Sequence, residues 1–186
     1  MKRLAFFLMT LLVTVASSAQ RTSGHFEFCN VPIDGRMEIF IGRCNAQGFS
    51  VLEQTKHTTL LCGSYDKRNC RVLVERLPKE DCVWGLSVIL PPCSNWKVLY
   101  SLYREYKDSF TKEFGNPVHC TEYFVNDGKG VSDDLKFQYV QRDECFYKSV
   151  FENEKGQIDV VIWHDEVNGC YVLISYIDKA NSMKQE

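Results

Sequence analysis

Apolar and polar residues recur along this chain in two rhythms. Between residues 35 and 47, Met37, Phe40, Ile41 and Cys44 fall at i, i+3, i+4 and i+7, the spacing that lines one face of a helix. Asp34 is placed to cap its first turn and Gly48 to end it in the left-handed conformation. A longer helix begins near Trp96: Leu99, Tyr100, Tyr103, Tyr106, Phe110 and Phe114 repeat at helical spacing, with Ser94 as the cap and Gly115 and Pro117 as the stop. Lys97, Arg104, Glu105, Lys107, Asp108, Lys112 and Glu113 fill its other faces with both signs of charge, the pattern of a solvated surface. The aromatic row predicts that this helix covers a sheet. Tyr100, Tyr103 and Tyr106 carry hydroxyls that could meet a ligand, although packing is the plainer role for a stripe of this kind.

The second rhythm is that of strands. After the first helix come Phe49 to Gln54, Thr58 to Cys62, Cys70 to Arg76 and Val83 to Leu90; after the second come His119 to Val125, Cys145 to Glu152, Ile158 to His164 and Cys170 to Ile177. Turns are marked by Asp66 to Asn69, Pro78 to Asp81, Asn153 to Gly156 and Glu166 to Gly169. Ile158, Val160 and Ile162 alternate with Asp159, Val161 and Trp163, while Tyr171 to Ile177 is apolar on both sides and should be central. The expected fold is therefore α+β: two successive helix-plus-antiparallel-strands units, about 31–90 and 94–178, meeting near Pro91 and Pro92 and sharing one sheet, with the helices packed on one face. The two halves share little residue identity, so the repeat is one of architecture. Such a sheet leaves its other face open to a partner.

The first nineteen residues stand apart. Lys2 and Arg3, an apolar run from Leu4 to Val15 and the small residues Ala16 to Ala19 form the three-part pattern of a secretory signal peptide. The run is shorter than the ~20 residues of a membrane span, no later segment reaches that length, and the first cysteine, Cys29, is too distant for lipidation at the small-residue site. The reading is cleavage near Ala19, a single α+β domain over 20–186, and a periplasmic or secreted product without a transmembrane segment. Loss of Lys2 and Arg3 with the leader moves the formal charge from −2 to −4, which argues against a general nucleic-acid or anionic-membrane binder. With 45% hydrophobic and 25% charged residues, a domain of this size buries roughly 70% of its unfolded surface and needs no staples.

Nine cysteines follow the leader, an odd number, so at least one is free or bonded to another molecule. A strand over Val83 to Leu90 sets Cys82 and Cys93 ~30 Å apart, beyond disulfide reach. Cys62 and Cys70 flank the turn-rich segment Gly63 to Asn69 and could face one another across a hairpin as a disulfide. No C-x-x-C or H-x-x-x-H occurs, and His25, His57, His119 and His164 lack zinc spacing, so no metal and no cofactor are expected. The polar loop Asn126 to Asp134 has three carboxylates but not the spacing or terminal Glu of a calcium loop, and reads as a surface loop leading into a short helix at Asp134 to Gln141. Gly128-Lys129-Gly130 has no phosphate-loop spacing. Neither a Gly-x-Ser-x-Gly elbow nor a Ser-x-x-Lys pair is present.

The string Phe26-Glu-Phe-Cys-Asn-Val-Pro-Ile-Asp-Gly35, with Gly48-Phe49, Ser94-Asn-Trp96, Thr111-Lys-Glu-Phe-Gly-Asn-Pro117, Cys170-Tyr-Val and Tyr176-Ile-Asp-Lys-Ala-Asn181, resembles small exported proteins of Bacteroides-type bacteria that have no assigned function. The likeness spans nearly the whole mature chain and carries no catalytic residue. In element order alone the layout is similar to beta-lactamase inhibitor proteins and outer-membrane assembly modules, and likeness of that kind does not transmit function.

These observations lead to an expectation of a non-catalytic exported binding module that holds a protein or envelope component on the open sheet face. Trp84 and Trp163 are the candidate contact residues, since aromatics on an exposed strand face make rigid, low-entropy contacts. The alternative is a small periplasmic hydrolase or thiol-redox enzyme using a cysteine or a carboxylate. Oligomeric state is open at this level.

Overall fold

The computed structural model of the chain describes residues 24–125 and 130–185; the leader, and Asn126 to Lys129 of the polar loop, lie outside the described residues. The chain runs β1 (Glu27–Phe28), β2 (Val31–Pro32), α1 (Met37–Ala46), β3 (Ser50–Gln54), β4 (Thr58–Tyr65), β5 (Arg68–Arg76), β6 (Val83–Ile89), α2 (Trp96–Phe114), β7 (His119–Phe124), α3 (Asp133–Gln141), β8 (Cys145–Glu152), β9 (Gly156–Asp165), β10 (Gly169–Asp178) and the single helical turn α4 (Lys179–Ser182). Strands β3 to β10 form one antiparallel open sheet in the order β3-β4-β5-β6-β10-β9-β8-β7. The two helix-plus-four-strand halves therefore meet where β6 pairs with β10.

Alternation along each strand divides the sheet into two faces. One carries Leu61, Val72, Val88, Ile174, Val160 and Phe151, all nearly or fully buried. Over it lie Met37, Phe40, Ile41 and Cys44 of α1, Leu99, Tyr103, Tyr106 and Phe110 of α2, and Val140 of α3, which joins the same core. The chain entering β1 also lies on this side: the Phe26 ring rests where a Cβ of Gly156 would be, its nearest atom 2.7 Å from that point. The predicted apolar stripes are thus core, and all the helices that pack on the sheet share one face.

Local details depart from the sequence reading in three places. Asp34 does not cap α1; it accepts an ion pair from Arg43 at 2.6 Å. The first-turn amide of Met37 is met instead by Asp81 Oδ1 at 3.3 Å, from the β5–β6 loop. At α2 the cap is Asn95, not Ser94, its Oδ1 accepting from Val98 N at 3.0 Å. The third departure concerns the cysteines. The β4–β5 hairpin is tighter than the turn-rich segment suggests: Asp66 and Lys67 both take positive φ, 47° and 62°, the two-residue turn whose twist matches that of the strands. Pairing therefore continues through Gly63 opposite Cys70 and Cys62 opposite Arg71. Cys62 and Cys70 are adjacent in the ladder but point to opposite faces, so they do not bond, and all nine cysteines are free thiols. Gly48 ends α1 with φ 91°, as its position predicts.

Candidate functional site

The sheet's second face lies opposite the helices. Register identifies its residues row by row. Leu60, Leu73, Ser87, Ser175, Asp159 and Val150 lie opposite one another across β4 to β8, and Cys62, Arg71, Ile89, Leu173, Val161 and Lys148 form the next row. Most are half-buried, the state of a side chain flanked by its neighbours in the sheet with no described helix laid over it.

Toward one corner the face becomes aromatic. Tyr123 of β7 pairs with Phe146 of β8, their rings stacked at 5.0 Å and 23°. On the next strand β9 carries Trp163, two residues past Val161, which closes the β8–β9 ladder opposite Lys148; Trp163 pairs with Tyr171 of β10. Tyr123, Phe146 and Trp163 are 52%, 43% and 50% exposed. Large aromatics normally bury most of their 150–250 Å², so three exposed on three adjacent strands, two of them stacked, set this corner apart.

Polar groups bond along β9 on this face and at the hairpin tip beside Trp163. Lys148 Nζ lies 2.6 Å from Asp159 Oδ2, and Gln157 Nε2 donates to Asp159 Oδ1 at 2.7 Å, so the nearly buried carboxylate is fully engaged. At the tip of the β9–β10 hairpin Asp165 accepts from Tyr171 Oη at 2.6 Å, Asn168 Nδ2 at 2.7 Å and the amides of Asn168 and Val167 at 2.6 and 2.9 Å. Partial burial raises its pKa, but these donors outweigh it and bring the group down to about 2.

Of the two residues singled out from sequence, Trp163 stands in this patch. Trp84 does not: it is half-buried at the irregularity between Arg76–Val83 and Glu75–Gly85, far along β6 from the aromatic corner. Sequence reasoning missed Tyr123 and Phe146. Both sit on alternating strands, but their adjacency to Trp163 depends on β7, β8 and β9 being neighbours in register, which no single strand records.

A second concavity lies on the helix side, a cleft of about 1030 Å³ between the β1 segment and α2. Tyr65, Tyr106, Phe110 and Tyr176 line it, with Glu27 and Glu113 among its acidic residues. Its phenols are spent on one another and on structure: Tyr65 and Tyr176 share a hydrogen bond of 2.6 Å, and burial drives both hydroxyl pKa values up. His25 contacts the buried Asp178 and Asp66 pairs with Arg68 at 3.5 Å.

Seven of the nine thiols are ill-suited to nucleophilic work. Burial pushes Cys44 and Cys145 up to about 12 and Cys70 and Cys170 up to about 11, and it raises Cys29, Cys82 and Cys93 as well. A thiol at such values carries almost no thiolate near neutrality. The exposed Cys120 lies 3.2 Å from Lys107 Nζ, which also contacts Glu122 at 2.6 Å, with Ser149 Oγ at 3.6 Å.

Among the described residues no cluster of His, Cys, Asp or Glu is placed to hold a metal ion, and no helix is long and apolar enough to cross a membrane. No family model matches the chain, and neither a curated protein nor a solved structure matches it.

Proposed function

We propose that this chain is an exported, non-catalytic binding module that holds a protein or cell-envelope component on its open sheet face, with Tyr123, Phe146 and Trp163 as the contact centre. The observation that carries this reading is the exposure of three neighbouring aromatics on a rigid sheet, where contacts form at little entropic cost. The signal-like leader and the resemblance to small exported Bacteroides-type proteins support the periplasmic or secreted location, and the raised thiols weigh against a thiol-redox role. Trp84, away from the patch, is assigned no contact.

The test is affinity capture from the native envelope and medium with the purified protein, comparing the wild type with the Trp163→Ala and Phe146→Ala double variant. Because both side chains are about half exposed, each substitution should cost no more than about 1 kcal/mol of stability. Retention of the captured component should fall at least about tenfold. Equal capture by a stably folded double variant overturns the assignment.

A further inference from the structure

An open sheet has two edges, and this one protects them differently. At one end β3 pairs with β4 through a register shift between Val51 and Glu53, and Glu53 stands exposed there. Bulges and charged residues are the usual means of keeping an edge from recruiting another strand. At the other end β7 runs against β8 in unbroken register from His119 to Phe124, without proline and with one carboxylate, Glu122. That carboxylate is already engaged inside its own chain, accepting from Lys107 at 2.6 Å and from Tyr103 Oη at 3.1 Å.

Register also tells which backbone groups point outward. Val125 N donates to Glu144 O at 3.0 Å, continuing the β7–β8 ladder. Hydrogen-bonded pairs alternate along an antiparallel ladder, so the odd-numbered residues of β7 turn their N–H and C=O groups toward β8, and Cys120, Glu122 and Phe124 turn theirs away from the sheet. Exposed apolar side chains stand at both edges, Val51 and Leu52 on β3 at 43% and 55%, but at the β7 edge Val118, Tyr123 and Val125, 62%, 52% and 58% exposed, are continued by Phe146 and Trp163 on the next two strands. An occupant must supply both a strand edge and apolar side chains, and a second copy of the same edge supplies both by two-fold symmetry.

We infer that β7 is the seam of a symmetric dimer in which two copies of the sheet join edge to edge into one antiparallel sheet. The outward-facing groups must pair with their counterparts, which leaves few registers. Centring the axis on Glu122 sets two carboxylates face to face. Centring it on Thr121 avoids this: Thr121 meets itself in a non-hydrogen-bonded pair, Cys120 meets Glu122, and His119 meets Tyr123 on the open face. The two aromatic corners then lie on the same face, with their Tyr123 residues four positions apart along the seam, ~14 Å. The inference stands on the edge and not on the binding reading, which survives if the chain is monomeric.

Sedimentation velocity of the purified protein from 1 to 100 µM, under reducing conditions, should show a concentration-dependent dimer that persists in Cys120→Ser. Thr121→Lys, which sets two ammonium groups on the axis, should be monomeric with an unchanged circular dichroism spectrum. In the Cys120→Ser background, Thr121→Cys should form a covalent dimer on mild oxidation at least tenfold faster than Ser50→Cys on the β3 edge. A monomer throughout the concentration range, a dimer unaffected by a folded Thr121→Lys, or cross-linking no faster at residue 121 than at residue 50 overturns the proposal. If Thr121→Lys does not fold, the comparison of cross-linking rates decides.

Discussion

Asp178 ties the segment entering β1 to the turn that follows β10. It is fully buried, its Oδ2 accepts from Phe26 N at 2.7 Å, and its Oδ1 accepts from Asn181 N at 2.8 Å and contacts His25 Nδ1 at 3.1 Å. Asn181, also buried, sends Nδ2 to the carbonyls of Ile33 and Val83, at 3.0 Å each. Removing the carboxylate strands two buried amides, and such groups cost about 1–3 kcal/mol apiece when unsatisfied. Asp178→Ala should therefore lose about 3 kcal/mol in urea unfolding and detach the β1 segment first, seen as faster hydrogen exchange at Phe26 and Phe28. A shift below about 0.5 kcal/mol would show that the tie is replaceable. The cap on Asn181 is local, three residues on, but the tie to Phe26 and His25 is not readable from the sequence, where they lie 152 and 153 residues away from Asp178.

At the scale of elements, the β9–β10 hairpin carries a measurable pH signature. The folded Asp165 carboxyl sits at about 2, whereas an unfolded aspartate titrates near ~3.9. A group depressed by folding stabilises the native state above its unfolded value, and the benefit disappears as pH falls through the folded one. Asp165→Asn should be less stable than wild type at pH 5 to 7, and the gap should narrow between about pH 4 and pH 2, as followed by thermal unfolding at each pH. A gap that stays constant down to pH 2 would rule out this role. Element boundaries were legible where a local signal decides them: the α2 stripe ends at Gly115, and the strands alternate as expected. Caps were less legible, because Asn95 and Ser94 compete for one position and the α1 amide is served by Asp81, 44 residues along the chain. The disulfide expectation failed for a related reason, since one residue of hairpin register decides whether Cys62 and Cys70 share a face.

The whole molecule is a sheet with one sealed side and one open side, and adjacent residues of β10 report the difference. Ile174 is fully buried beneath the helices, whereas Leu173, its neighbour, lies half-buried on the open face. Ile174→Ala should cost about 3 kcal/mol through lost burial and the cavity left behind, within the range for buried aliphatic truncations. Leu173→Ala should cost about 1 kcal/mol or less, because the open side has no layer to leave a cavity in. Equal losses in denaturant titrations would mean that both faces are covered in solution.

Periodicity by itself determined the class of fold: stripes at 3.6 residues can bury only one side of a helix, and alternating strands give a sheet a lipophilic side to set beneath it. It also picked out Trp163 as facing away from that side, through the alternation of Ile158, Val160 and Ile162 with their neighbours. Tertiary structure decided what lies beside what. Strand order placed Tyr123, Phe146 and Trp163 on three adjacent strands and left β7 at an edge, and hairpin register sent Cys62 and Cys70 to opposite faces. Local patterns depend on a few neighbouring residues, whereas adjacency across a sheet depends on the pairing of segments distant in sequence, which only the folded chain specifies.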